Sequence, residues 1–394
     1  MKEFIRNKIR EGLITENRVK FDIPVPSDIR ELKDIFVKNG FKLFVVGGAV
    51  RDALLGKTPK DWDLATDATP DKVEQMMSDA GLRTIPTGKA FGVINVFTDD
   101  GEHEVATFRK DIGSGRRPDS VEFTTIDQDV KRRDLTINAL FFDIDTSEIV
   151  DLVGGISDLK KGIVRTVGSP EERFGEDRLR ILRAIRFAGR FGSELEPNVD
   201  AALRNDASLE GISPERIRDE FLKGVRTTKS VKHFLGLLDK FNLFDWIFKG
   251  LRVNKNFIEE QDPLVLLAFM LRDNDPKVLG KVLNKLTYSA AETKAITFLV
   301  AFQQFSKPEE VFLFKKQHMA SGVTSEQLRK FGKLIGFDQK ILDAFADFKL
   351  TVTGQDAEAL GVKKGPEMGN AIKKLESDNF KASLWYLLLW KKES

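Results

Sequence analysis

The hydrophobic rhythm of the chain changes near Gly168. Before it, short runs of β-branched and aromatic residues predominate, bounded by glycine, proline and acidic clusters. They predict strands at 43–46, 92–98, 104–108, 121–125, 140–144, 149–153 and 163–167. Helical spacing interrupts them at 70–80 and 129–138. An earlier helix is predicted from Ser27 to Asn39: Ser27 offers a cap, Leu32, Ile35 and Phe36 share a face, and Gly40 ends it. After Gly168, helix follows helix, with breaks near 192–197, 227–230, 273–276, 305–308, 320–325 and 352–366. Ser169-Pro170-Glu171-Glu172 supplies a capping serine, a proline at the first helical position and a glutamate to close a capping box. Ser213-Pro214-Glu215 repeats the first two devices. The pattern predicts an α+β chain, with a mixed α/β head before an all-helical remainder. No fixed-period repeat and no low-complexity tract interrupts it.

Composition narrows the chemistry. The chain has 394 residues, enough for several domains, with 41% hydrophobic and 31% charged residues, an ordinary soluble balance. Its net charge is +2, so a nucleic-acid surface must be a local patch. No cysteine is present, which excludes disulfides, iron–sulfur clusters, thiol nucleophiles and cysteine zinc sites. The three histidines, His103, His233 and His318, are far apart, so no local histidine-pair metal motif exists. The longest apolar run, Leu264 to Leu271, is too short to span a membrane, and residues 1–10 lack the apolar core of a secretory signal. A cytoplasmic location is the expectation, with no membrane association and no obligate protein partner evident.

The densest chemistry lies in LFVVGGAVRDALLGKTPKDWDLATD. A buried strand ends in Gly47-Gly48, and a helix carrying Arg51 follows. Two glycines at a strand-to-helix turn let backbone approach a ligand, helix-start amides suit phosphate, and Arg51 adds a fork of donors. The same glycines also fit a tight turn made only for packing. Gly56-Lys57-Thr58 imitates the end of a P-loop, but the glycine required five residues earlier is Arg51. Asp61 and Asp63, two apart on a strand, face one side. Their mutual repulsion is relieved by a divalent metal, and hard oxygen ligands suit Mg²⁺.

Gly47-Gly48-Ala49-Val50-Arg51-Asp52 followed by Asp61-Trp62-Asp63 resembles the head of the class II tRNA nucleotidyltransferases and their bacterial poly(A) polymerase relatives, within the polymerase-β-like nucleotidyltransferase superfamily. The resemblance implies a polymerase-β-like head with a mixed or antiparallel sheet, then an elongated helical neck, body and tail. The expected divisions are a leader of unknown role at 1–26, a catalytic head at 27–168, a neck for base recognition and RNA binding at 169–250, and a tRNA-binding body and tail at 251–394. The family's third acidic residue carries over to Glu104, on the next strand of a hairpin. It can complete a metal pair or take the proton of an incoming hydroxyl. The polar, basic stretch 109–120 corresponds to a flexible loop that the family associates with the switch to adding the terminal A.

Arg132-Arg133-Asp134-Leu135-Thr136-Ile137-Asn138 matches the next motif. On a helix, Asp134 and Asn138 lie one turn apart; Arg133 suits phosphate oxygens, while Asp134 and Asn138 suit ribose hydroxyls. In Glu176-Asp177-Arg178-Leu179-Arg180, Asp177 and Arg180 share a helix face. Asp177 can accept the amino hydrogen of cytosine or adenine while Arg180 donates to the ring acceptors; guanine and uracil present a carbonyl instead. The resemblance assigns this pair to choosing CTP and ATP without a nucleic-acid template. Arg183, Arg186 and Arg190 continue a basic stripe that fits an RNA backbone or a solvated face equally, and Arg183 lies near enough to support the nucleotide site. Residues 213–220 and 354–369 resemble the family's neck and tail.

The expected activity is template-independent addition of CCA to the tRNA 3′ end from CTP and ATP, with release of pyrophosphate. The expected roles are Asp61 and Asp63 as Mg²⁺ ligands, Glu104 assisting, Gly47, Gly48 and Arg51 at the triphosphate, Arg133, Asp134 and Asn138 at the sugar, and Asp177 and Arg180 at the base. Alternatives are partial addition of CC or A, poly(A) synthesis, a small-molecule adenylyltransferase, or an inactive RNA-binding relative.

Overall fold

The structure is a computed structural model that describes residues 14–15, 17–113, 119–302, 311–348 and 352–390. It divides into two compact units, residues 1–212 and 213–394. The first helices beyond Gly168 therefore pack with the head.

The first unit is built on a nine-stranded sheet in the order β1-β2-β11-β10-β3-β4-β7-β6-β5. The strands are β1 (Ile14–Thr15), β2 (Arg18–Lys20), β3 (Leu43–Val46), β4 (Leu64–Thr66), β5 (Arg83–Gly88), β6 (Val93–Phe97), β7 (Glu102–Thr107), β10 (Phe141–Asp143) and β11 (Glu148–Val150). β4 and β7 are the one parallel pair; every other pairing in this sheet is antiparallel. β3 is central and buried throughout, with α1 (Ser27–Lys38) and α2 (Gly48–Leu54) packed on it. Phe44, Phe108 and Phe141 make an aromatic knot with ring centroids 5.5, 6.4 and 5.9 Å apart.

Several expectations change. The leader is partly integral to the sheet: β2 pairs with β11, and Val19, Phe21, Ile23 and Val25 are buried at alternate positions. Ser27 is the first helical residue, and Pro26 holds the cap position without a side-chain bond. The polar stretch 109–120 opens as a strand, β8 (Arg109–Ile112), paired with β9 (Ser120–Phe123). Arg116 and Arg117 lie outside the described residues. The helix predicted over 129–138 is broken. It becomes α4 (Ile126–Asp129), a 3₁₀ turn at Val130–Arg132, an extended Arg133 and a second 3₁₀ turn at Thr136–Asn138. The break follows from a bridge between Leu135 and Thr166, which draws the backbone away from helical bonding.

α3 (Pro70–Asp79) covers β5 and β6, and α5 (Gly155–Lys161) leads into β12 (Ile163–Val164), which pairs in parallel with β13 (Glu194–Leu195). α6 (Pro170–Glu176) starts where the serine and proline place it: Ser169 Oγ accepts the Glu172 amide at 3.4 Å. Its hydroxyl donates to Glu171 at 2.7 Å, and the capping box, which needs Glu172 to accept the Ser169 amide, is not formed. α7 (Leu179–Phe191) and α8 (Pro197–Asn205) complete the unit.

The second unit is helical: α9 (Pro214–Thr227), α10 (Val231–Lys240), α11 (Phe244–Ile247), α12 (Pro263–Met270), α13 (Pro276–Lys285), α14 (Ala290–Phe302), α15 (Val311–Ser321), α16 (Ser325–Leu334), α17 (Gln339–Asp347), α18 (Gly354–Ala359) and α19 (Met368–Trp390). Among the described residues, no helix is long and apolar enough to cross a membrane. α12 is apolar all round because it is buried all round, from Val265 to Met270.

α15 buries a lysine and a histidine. Lys315 Nζ donates to the carbonyls of Phe345 and Ala346, at 2.6 and 3.2 Å, at the end of α17. His318 stacks on Phe298 with centroids 5.6 Å apart, and neither ring nitrogen has a hydrogen-bond partner among the described residues. Burial, then the Lys315 charge, push the imidazole down to about 4 from 6.5. The folded chain thus refuses a proton that the unfolded chain takes up. Stability contributed by neutral His318 is whole above pH 6.5 and falls as the pH drops toward 4, by on the order of 2 to 3 kcal/mol. His318→Phe is expected to flatten that acid limb in denaturant titrations at pH 7 and 4.5. An unchanged loss in the variant refutes the assignment.

Candidate active site

The glycine turn closes one side of the site. Gly47 has φ 66° and ψ −117°, a conformation closed to side-chain-bearing residues. Its amide donates to Leu140 O at 3.1 Å, so it is occupied. The amides open to an anion are those of Gly48, Ala49 and Val50, since the Arg51 amide already donates to Gly47 O at 3.2 Å. Arg51 lies behind the turn and is only 4% exposed. Its guanidinium donates to Asn138 Oδ1 and to Asp52, with Nε 3.0 Å from Oδ1, and it lies 4.9 and 5.6 Å from the rings of Phe187 and Phe191.

Asp61 and Asp63 lie just before β4 rather than within it. Asp63 O still accepts the Val46 amide at 2.9 Å, tying the segment to the end of β3. Leu64 pairs with Val105, so Asp63 is the neighbour of Glu104 across the parallel pair, on the same face. Burial first, then the charge of Asp61, raise the Asp63 carboxyl above its ordinary value, and Arg133 opposes them. Glu104 is raised by burial and by Asp63, against Arg109. The carboxylates therefore repel one another, and each of the three residues remains exposed to solvent. Among the described residues, no group of three or more His, Asp or Glu side chains is gathered tightly enough to hold a metal by itself.

The Arg133–Asn138 stretch is bent, yet its polar groups meet. Asn138 Nδ2 donates to Asp134 Oδ1 at 3.2 Å, and Arg183 donates to Asp134 Oδ2 through Nε at 2.7 Å and NH2 at 2.6 Å. Burial pushes the Asp134 carboxyl up, but the Arg183 charge and the bonds from Arg183 and Asn138 hold it below the ordinary value. A Cβ on Gly47 would stand 3.6 Å from Asn138 O and 3.8 Å from Arg133 NH1, so this stretch lies directly against the glycine turn.

Asp177 and Arg180 do not share a continuous helix face. Asp177 is extended, at the break between α6 and α7, and its Oδ1 accepts the Leu179 amide at 3.0 Å. Arg180 sits in the first turn of α7 and donates to Arg173 O at 3.2 Å, Arg132 O at 2.9 Å and Glu176. Both side chains line a cavity of about 280 Å³ together with Lys110, Gln128, Lys131, Arg132, Arg173 and Glu176. Arg132 lines this cavity, and the next residue, Arg133, holds the Asp63 carboxyl down electrostatically.

Three carboxylates that hold arginines around the site were given no role by the sequence. Asp129 is 1% exposed and accepts Arg109 N at 3.2 Å, Arg132 Nε at 2.8 Å and Arg133 Nε at 3.2 Å, so it aims both arginines. Its spacing of three and four from those arginines was a visible but weak signal. Glu176 holds Arg173 as well as Arg180. Asp52 holds Arg51 and, through NH2 at 3.0 Å, Arg190. The stripe on α7 is accordingly not a solvated face: Arg186 is 2% exposed, and Arg183 and Arg190 are ion-paired.

Comparison with known proteins places these features in context. Residues 43–165 match the model described as the poly A polymerase head domain, and residues 192–254 match one described as a probable RNA and SrmB-binding site of polymerase A. The chain is 33% identical to a CCA-adding enzyme of Ligilactobacillus salivarius over 93% of this chain and 94% of the relative. It is 34% identical to the mitochondrial CCA tRNA nucleotidyltransferase 1 of Danio rerio over 90% and 87%. Among solved structures, the CCA-adding enzyme of Bacillus stearothermophilus in complex with CTP superposes with a TM-score of 0.69 at 24% identity, covering 94% of this chain and all of that one.

Proposed function

The chain belongs to the family of CCA-adding tRNA nucleotidyltransferases, and from that premise we propose that it adds C, C and A to the 3′ end of tRNA without a nucleic-acid template. The 3′-hydroxyl attacks the α-phosphate of CTP or ATP, and pyrophosphate leaves. Asp61 and Asp63 would hold Mg²⁺: two hard carboxylates whose repulsion raises Asp63 suit an ion that takes one or two protein carboxylates and completes its shell with substrate phosphates. When bound, such an ion lowers the pKa of the attacking hydroxyl and offsets charge on the phosphates.

The protein's own groups do the remainder. Glu104, with its raised proton affinity, is placed beside Asp63 to take the hydroxyl proton. Gly47 and Gly48 form the triphosphate turn, with Arg51 bracing it from behind and Arg133 alongside. Asp134 and Asn138 position the sugar, and Arg183 keeps Asp134 ionised. Asp177 and Arg180 choose the base. The observation that carries this reading is that Asp177 and Arg180 line one cavity of about 280 Å³ with Arg132, while the next residue, Arg133, acts electrostatically on Asp63.

Purified protein, incubated with a tRNA transcript lacking CCA, should add two C residues with CTP alone and the full CCA with CTP and ATP together. Addition of C only or A only with both nucleotides present, or of a long A tract, overturns the proposal. The helical second unit and the 192–254 match support tRNA as the acceptor.

A further inference from the structure

Behind the glycine turn, α2 meets the far end of α7. Asp52 stands at that junction and uses both carboxylate oxygens. Oδ1 receives Arg51 through Nε at 3.0 Å and NH2 at 2.9 Å, while Oδ2 receives Arg190 NH2 at 3.0 Å. Phe187 and Phe191, stacked with centroids 5.9 Å apart, close over Arg51, and Arg190 lies 5.3 Å from the Phe191 ring. The Asp52 and Arg190 side chains are 19% and 21% exposed, so the pair is shielded and charge-assisted rather than a solvated surface contact.

The position of this clamp gives it a purpose. The first turns of α7 are fastened by Arg180 to Arg132 O and by Arg183 to Asp134. Arg190 lies ten residues beyond Arg180, roughly 15 Å along the helix at 1.5 Å per residue. A rod held at one end pivots unless its other end is held too. We propose that Asp52 is a positioning residue, locking the helix that follows the triphosphate turn to the distal end of the base-reading helix. Triphosphate and base are then gripped at one fixed separation. The inference rests on the nucleotidyltransferase reading for its ligand, but its chemistry concerns nucleotide binding and can be tested without tRNA.

The test uses full-length protein with Asp52→Asn, Arg190→Gln, Arg190→Lys and the double variant Asp52→Asn/Arg190→Gln. Calorimetry gives Kd for CTP and UTP without tRNA, kinetics give KM and kcat for C addition, and thermal melting gives Tm. Each of the first two variants should weaken CTP binding and raise KM roughly tenfold, with kcat changed less, because a loosened grip misplaces the substrate. The preference for CTP over UTP should narrow. The double variant should be no worse than the poorer single one, as one shared contact predicts. Arg190→Lys should recover most of the affinity.

Should Asp52→Asn fail to fold, Arg190→Gln decides, since it leaves the Asp52–Arg51 pair in place. A fall in Tm with Kd and KM unmoved shows mere structural support and overturns the proposal, as does additivity in the double variant. A wild-type protein that binds CTP but adds nothing to tRNA defeats the activity reading and leaves the clamp to be judged on Kd. A wild-type protein that binds neither CTP nor ATP defeats both.

Discussion

Asp61→Asn or Asp63→Asn should reduce nucleotide incorporation by three orders of magnitude or more, the scale expected when a metal-holding carboxylate is lost from a phosphoryl-transfer site. The fold tolerates mutual repulsion among these carboxylates. Asp63 is raised by burial and by the neighbouring Asp61, and Glu104 by burial and by Asp63. Such crowding of acceptors costs free energy in the absence of a cation. Removing one carboxylate relieves the repulsion, so the variants should fold at least as well as the parent. Their defect should therefore appear in single-turnover incorporation, with Tm equal or higher. Chelation of divalent ions should reproduce it in the parent protein. Incorporation within tenfold of wild type in either variant, or indifference to chelation, refutes the assignment of this pair.

The second large effect concerns the choice of base. Asp177→Asn replaces an obligatory acceptor by a group that also donates, and so offers a partner to the carbonyl of uracil. UTP incorporation relative to CTP should rise by about one to two orders of magnitude, in line with roughly 1–3 kcal/mol for each buried polar group paired or left unpaired. Arg180→Ala should do something different. Arg180 also ties α7 to Arg132 O, Arg173 O and Glu176. Its loss should lower kcat/KM for both CTP and ATP and narrow the preference for CTP over UTP, without the gain in UTP incorporation expected of Asp177→Asn. Competition between labelled CTP and UTP on one tRNA separates the two outcomes. Retained discrimination in Asp177→Asn removes Asp177 from base selection.

Much of this site is local in origin, and what is local is legible. The glycine turn announces itself because only glycine accepts the backbone angles of Gly47. The helix starts at Ser169-Pro170 and Ser213-Pro214 depend on neighbouring atoms, and Ser169 and Ser213 do accept the amides of Glu172 and Arg216. Other readings failed where a distant partner overrode periodicity. The bridge from Leu135 to Thr166 broke an expected helix, and the extended Asp177 separated two helices where one was drawn. The apolar alternation of Val19, Phe21, Ile23 and Val25 was present in the sequence but masked by Pro24 and Pro26.

By itself the sequence determined the inventory of chemistry: a cysteine-free chain with a glycine turn, two aspartates two residues apart, and ordered motifs rich in arginine and acid. The tertiary structure alone decided which charges meet. Asp52 reaches Arg190 and Asp134 reaches Arg183 across 138 and 49 residues, and Asp129 aims two arginines from a fully buried position. The physical reason is the range of the forces. Turn angles, caps and side-chain spacing act within a few residues, whereas the partner of a buried charge is selected by the packing of the whole unit, which removes water and leaves only the groups brought within bonding distance.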